Sequence, residues 1–322
     1  MAQTKLAHCS DRNVVVDTAH GGVRLHYVEA APPSPDATPL VLVPGQSMPW
    51  DSYQKVIPRL RQRYHVFALD VRGHGTSQHT PGEYSFGRCA DDLIELLRTV
   101  VRRPALLTGN SSGGIIGMIA AARAPELVRG LLMEDPPLFS TDWPRLRDDT
   151  WVHGFFVHTV NTLPDLATYF ATLRIPTKGR VKLMSFPRPL AWFLGGAIRR
   201  RQAKRPGAPV DIPWLPLHVR LFVRGLSEYD VDFTRACVDG RMCDVDQGSV
   251  LAQVRCPATL MTAHSFRHPE LGLVGAMDDD DVARARQIQP AMEVQRLQKP
   301  HVIHLADPRA FCGAIDALAE RC

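Results

Sequence analysis

The sequence predicts an α/β protein: a mostly parallel β-sheet with helices on both faces, interrupted by a mainly helical insertion. Three observations predict it. Short apolar runs rich in β-branched residues alternate with amphipathic helical segments from residue 40 to about 135, the rhythm of parallel strands joined by helical crossovers. That rhythm stops over about residues 137–250. It resumes from 251 to 322.

Taken in order, "NVVVDT" and "VRLHYVEA" flank the turn signal "AHGG" and predict an antiparallel pair. The breaker-rich "APPSPDATP" follows, and then "LVLVPG", too short for a helix, predicts a buried strand at 40–44. "WDSYQKVIPRLRQ" is helical in spacing despite Pro58, "HVFALD" is a strand, "FGRCADDLIELLRTVV" is an amphipathic helix, and "ALLTGN" is a strand. The helix "GGIIGMIAAARAPE" and the strand "VRGLLMED" complete this half. The interrupting stretch holds many prolines, four of the five tryptophans, and helix-like segments such as "LPDLATYFATL" and "PLAWFLGGAIRRR", with no strand alternation. Afterwards "PATLMTA", "DDVARARQIQP", "AMEVQRL" and "DPRAFCGAIDALAERC" read as strand, helix, strand, helix. The expected organisation is core 1–136, cap 137–250 and core 251–322, with the cap over the strands' C-terminal edge, where open α/β sheets bind ligands.

Composition excludes several classes. At 322 residues with 45% hydrophobic and 22% charged content, the chain can bury a large core and is not disordered. The net charge of +5 comes from scattered arginines, so a nucleic-acid partner is not expected. The run "RRRQAKR" at 199–205 reads as a solvated helix face or, alternatively, an anion or partner site. Seven cysteines without a repeated spacing look like reduced thiols of a cytoplasmic protein. "CVDGRMC" lacks a matching second pair, so no metal site is expected. With no continuous apolar segment in "MAQTKLAHCSDRNVVV" and no apolar stretch of 18 residues, a soluble chain without a membrane span is expected.

The chemistry-bearing motif is "TGNSSGG", a GxSxG pattern between a strand and a helix. Its glycines permit a sharp strand-to-helix turn that exposes Ser111 as a nucleophile, while the next amide, that of Ser112, faces a developing oxyanion. A bare glycine-rich helix cap is the bland alternative.

With "LVLVPG", "ALDVRGHGTS", "TGNSSGG" and "PHVIHLADPRAF" in that order, the chain resembles the α/β-hydrolase superfamily over nearly its whole length apart from the insertion. The resemblance implies an eight-stranded, mostly parallel sheet flanked by helices, a mainly helical cap, and a Ser–acid–His order. By position it implies His301 as the base, with His304 as the alternative, and Gln46 and Ser112 as oxyanion donors. The acid is expected at Glu134, beyond the strand that follows the nucleophile helix, a placement similar to that of zearalenone-type lactone hydrolases. Asp135, Glu270 and the cluster Asp278–Asp281 stay open as alternatives, the cluster also reading as a helix start. His74 reads as a loop-structuring residue.

The expected activity is hydrolysis of a lipophilic ester or lactone through an acyl-enzyme, without a cofactor. Trp143, Trp151, Phe155, Trp192 and Trp214, with Phe156 and Phe193, are the expected apolar wall for a small-molecule substrate. A carbon–carbon bond hydrolase, a cyclase or lyase on the same triad, and a non-catalytic binding protein stay open. So does a homodimer.

Overall fold

The computed structural model describes residues 6–163, 165–176, 184–185 and 188–322. Eight strands form its main sheet: Cys9–Thr18 (β1), Gly21–Ala30 (β2), Thr38–Val43 (β3), Tyr64–Asp70 (β4), Ala105–Asn110 (β5), Val128–Glu134 (β6), Ala258–Thr262 (β7) and Glu293–Arg296 (β8). Their spatial order is β1-β2-β4-β3-β5-β6-β7-β8. β2 runs antiparallel to both neighbours, and every other pairing is parallel.

Alternation within the buried strands divides the core. Val41, Val43, Phe67, Leu69, Leu107 and Met133 face one apolar layer, shared with helices Phe86–Leu96 and Ser112–Arg123. Leu40, Leu42, Val66, Ala68, Leu106 and Leu132 face the other, shared with Tyr53, Ile57, Phe311 and Ile315. Burial on both faces is why "LVLV" in β3 and "ALL" in β5 read as continuous apolar runs rather than alternating ones.

One helical expectation changes in detail, and another holds. The segment "WDSYQKVIPRLRQ" splits into a 3₁₀ turn, Trp50–Lys55, and a single α-turn, Ile57–Leu60. Pro58 lacks the N–H that a continuous ladder would need there. The cluster Asp278–Asp281 starts the helix Asp279–Ile288, where Asp278 and Asp281 form a reciprocal capping box.

Between β6 and β7 lie the helices Arg145–Asp149, Trp151–Thr162, Leu166–Thr172, Arg188–Lys204, Leu217–Ser227, Val231–Val238 and Gln247–Ala252. Among the described residues this stretch gives no strand to the main sheet, though Arg174–Ile175 and Met184–Ser185 pair with each other. Helix Leu217–Ser227 is tied to the loop after β3. Arg224 pairs with Asp51 at 2.5 Å and with Glu228 at 3.0 Å, all three being buried. Gly225 lies so close to the Ser47 carbonyl that a Cβ would stand 1.9 Å from its oxygen. No described helix is long and apolar enough to cross a membrane.

Removing a buried guanidinium that serves two carboxylates is costly. Arg224→Ala should lower the unfolding free energy by about 3 kcal/mol, read from urea denaturation.

Candidate active site

The strand order reverses at β3, so the C-terminal ends of β3 and β5 open a crevice between them. Ser111 stands in that crevice, between the last residue of β5 and the first of helix Ser112–Arg123. Its φ of 54° and ψ of −123° form a conformation that side-chain-bearing residues seldom adopt. Two backbone hydrogen bonds hold it there. The Ser111 N–H donates to the Glu134 carbonyl at 2.8 Å, and the Gly114 N–H donates to the Ser111 carbonyl at 2.9 Å.

The flanking glycines serve close approach. A Cβ on Gly109 would lie 2.1 Å from the Gly113 oxygen, and one on Gly113 would lie 2.3 Å from the Val43 oxygen. The helix therefore starts hard against β3 and β5. The helix N-terminus thus borders the crevice, and the amide of Ser112, at its first position, has no carbonyl of the same helix to pair with. On the other side, Gly45 packs against Asn110 and Ser111, and the Gln46 side chain bonds Thr234 at 2.9 Å, fixing the turn that carries the Gln46 amide.

His301 Nδ1 lies 2.6 Å from Asp135 Oδ2. The second Asp135 oxygen accepts the Ala263 N–H at 2.8 Å, and the Asp135 N–H donates to the Met261 carbonyl at 2.7 Å. The carboxylate is thus fixed from two sides. The Asn110 amide donates to the His301 carbonyl at 3.2 Å, tying the histidine loop to the end of β5. With Nδ1 donating to Asp135, Nε2 is the ring nitrogen left to accept a proton. Loss of hydration depresses the pKa of His301, but the Asp135 hydrogen bond and the charges of Asp135 and Glu134 outweigh it, so the net shift is upward from 6.5.

The expected pairing of Glu134 with His301 is corrected. Glu134 instead meets His304: Oε2 lies 2.7 Å from the ring Nδ1, and Oε1 accepts the His304 backbone N–H at 2.8 Å. Both side chains are buried, with the Tyr53 ring stacked on His304 at 4.1 Å. Successive residues at a strand end point to opposite sides. Glu134 takes the side of Tyr53 and Phe311, and Asp135, at a φ of 44°, turns to the crevice. Among the other open acids, Glu270 sits in the turn after Phe266–His268, where its N–H donates to His268, and Asp278–Asp281 cap a helix. His74 is buried, donates from Nδ1 to the Arg72 carbonyl at 3.0 Å, and has a pKa lowered by burial to about 4.

Ser111 and His301 line one cavity of about 260 Å³ with Gln46, Trp151, Phe155 and Phe156. Four expected wall residues lie elsewhere. Trp143 packs on Gly240 and under the Arg147 guanidinium. Trp192 and Trp214 are exposed on the cap, as is Phe193. Helix Arg188–Lys204 buries Ala191, Leu194 and Ile198, which turns residues 192 and 193 outward. The wall is completed by Met48, Val152, Phe222, Leu226 and Val302, which tryptophan content did not flag. The helical periodicity of "LHVRLFVRGLS" carried a signal for Phe222 and Leu226.

A family model described as the alpha/beta hydrolase fold matches residues 38–208, more than half of the chain. The chain belongs to the α/β-hydrolase fold family. N-formylmaleamate deformylase of Pseudomonas putida is 24% identical over 299 residues, 91% of each chain. 2-(Acetamidomethylene)succinate hydrolase of Mesorhizobium japonicum is 37% identical over 83 residues, which cover 26% of this chain and only 30% of that enzyme. Among solved structures, the N-formylmaleamic acid deformylase of Pseudomonas putida S16 superposes with a TM-score of 0.63 at 19% identity, covering 95% of this chain and all of that one, 100%. The enol-lactonase of Burkholderia xenovorans LB400 gives 0.60 at 15%, covering 95% and 100%. These likenesses establish the fold.

The buried Glu134–His304 pair makes a stability prediction. Glu134→Ala leaves the His304 backbone N–H without its carboxylate acceptor and should cost about 3 kcal/mol, measured by chemical denaturation.

Proposed function

We propose that this α/β hydrolase cleaves a neutral, lipophilic ester or lactone through a Ser111 acyl-enzyme. The observation that carries the reading is the 2.6 Å contact between Asp135 and His301, in a histidine that shares its cavity with Ser111. Asp135 holds the imidazole and offsets the charge it gains. His301 Nε2 takes the Ser111 hydroxyl proton as Oγ attacks the acyl carbon. The amides of Gln46 and Ser112 receive the charge that builds on the carbonyl oxygen. Collapse expels the alkoxide, which takes the proton from His301. Water then attacks the acyl-enzyme, giving its proton to His301, and Ser111 leaves with that proton as the acid is released.

The wall chemistry supports a neutral substrate. The residues lining the cavity are mainly apolar and include no lysine or arginine among those described. A carboxylate-bearing substrate would lose hydration there without gaining a counterion. A volume of about 260 Å³ suits a short acyl or alkyl group rather than a large one. The names of two relatives, N-formylmaleamate deformylase and 2-(acetamidomethylene)succinate hydrolase, favour a second reading, acyl–nitrogen cleavage by the same residues. Hydrolysis of p-nitrophenyl butyrate set against the corresponding anilide separates the two, and the proposal predicts the ester as the faster substrate.

Ser111→Ala should lower kcat for such an ester by at least about 10⁴-fold. Asp135→Asn should lower it by about 10³- to 10⁴-fold, whereas Glu134→Gln, one residue away, should cost less than about tenfold. Equal losses at the two carboxylates would reject Asp135 as the acid. His301 must be neutral to act as base and its pKa is raised from 6.5, so kcat/KM should climb with pH and reach half its plateau above pH 6.5. In Asp135→Asn the residual activity should have a lower midpoint, because the raising partner is gone.

A further inference from the structure

Helix Arg188–Lys204 has two unlike sides. Inward, Ala191, Leu194 and Ile198 are buried in the cap. Outward, Leu190 is 45% exposed, Trp192 80% and Phe193 56%. Trp214, 54% exposed, joins them from the following loop, its ring 5.3 Å from that of Phe193. Isolated exposed apolar residues are ordinary, but a contiguous group of large aromatics marks a contact surface.

Beyond the aromatics the same helix turns basic. Phe193, Ala197, Arg200 and Lys204 follow one another at helical spacing, so an aromatic end and a cationic end lie about 16 Å apart along one face. With Trp192, Arg201 and Trp214 they line a groove of about 540 Å³. The nearby acids are already engaged: Asp165 meets Arg199 at 3.7 Å and caps helix Leu166–Thr172, and Asp211 meets Arg220 at 2.5 Å. The groove therefore keeps a net positive rim.

We propose that this face docks on the surface of an anionic lipid bilayer. Leu190, Trp192, Phe193 and Trp214 enter the boundary between headgroups and acyl chains, and Arg200 and Lys204 sit at phosphate level. Amphipathic helices that rest in a membrane interface combine these two elements, apolar aromatics for insertion and Lys or Arg for anionic headgroups. Charge favours the bilayer over a second copy as the occupant, because a two-fold contact with parallel helices would set the cations against themselves and the described residues of this face offer no unengaged carboxylate to meet them in any arrangement. The docking does not depend on the ester reading, since the catalytic cavity shares none of these residues.

The test is co-sedimentation of the full chain with phosphatidylcholine vesicles that contain or lack about one-third phosphatidylglycerol. Partitioning should be at least about tenfold higher on the anionic vesicles and should fall as salt rises. The double variants Trp192→Ser with Phe193→Ser, and Arg200→Glu with Lys204→Glu, should each lose at least about tenfold of that binding. Their thermal midpoints and their turnover of a soluble ester should match the parent, which separates a docking role from misfolding. Equal binding to both vesicle types, or variants that bind like the parent, would overturn the proposal. So would sedimentation velocity showing a dimer that Trp192→Ser with Phe193→Ser dissolves, with no vesicle binding by the parent.

Discussion

The site depends on one steric constraint: the start of helix Ser112–Arg123 must lie in backbone contact with β3 and β5. Gly109 meets the Gly113 carbonyl, and Gly113 meets that of Val43, at distances no Cβ would allow. Because the helix begins that close, Ser111 is forced to a φ of 54°, and its N–H is taken by the Glu134 carbonyl at the end of β6. The same contact brings the helix N-terminus, with the Ser112 amide first, to the crevice where the Gln46 loop arrives. Strain at one residue is sustained because three strand ends and a helix hold it.

The histidine loop is assembled from the other side by two parallel pairings, Asp135 with His301 and Glu134 with His304. They are adjacent in sequence and opposite in environment. One faces the crevice, and the other is sealed beneath Tyr53. The buried pair fixes the short turn Ile303–Ala306 and so the loop that presents His301. Two carboxylates at a strand end and two histidines three residues apart thus separate into a site and its support.

The sequence was most legible where a local rule operates. "ALLTGN" predicts β5 at its observed bounds, and GxSxG between strand and helix locates the elbow, because both depend on neighbours in the chain. The split of "WDSYQKVIPRLRQ" was signalled by Pro58 alone. The choice between Glu134 and Asp135 was not legible, since it rests on which side of the sheet each faces once Asp135 itself takes a positive φ. The cap was least legible. Trp151 and Phe155 do reach the cavity, but Trp192 and Trp214 are turned outward by the packing of their own segment, and a residue's size does not reveal its direction. Burial of Ala191, Leu194 and Ile198, rather than aromatic content, orients that helix.

The central claim is that an imidazole held by Asp135 activates the hydroxyl lifted at Ser111. Mass spectrometry of the intact chain after exposure to a fluorophosphonate, with the adduct mapped by peptide, tests it most directly. The account predicts a single adduct on Ser111 whose rate of formation rises with pH and collapses in Asp135→Asn but persists in Glu134→Gln. An adduct on another residue, or equal labelling of Ser111 in the parent and in Asp135→Asn, would contradict it.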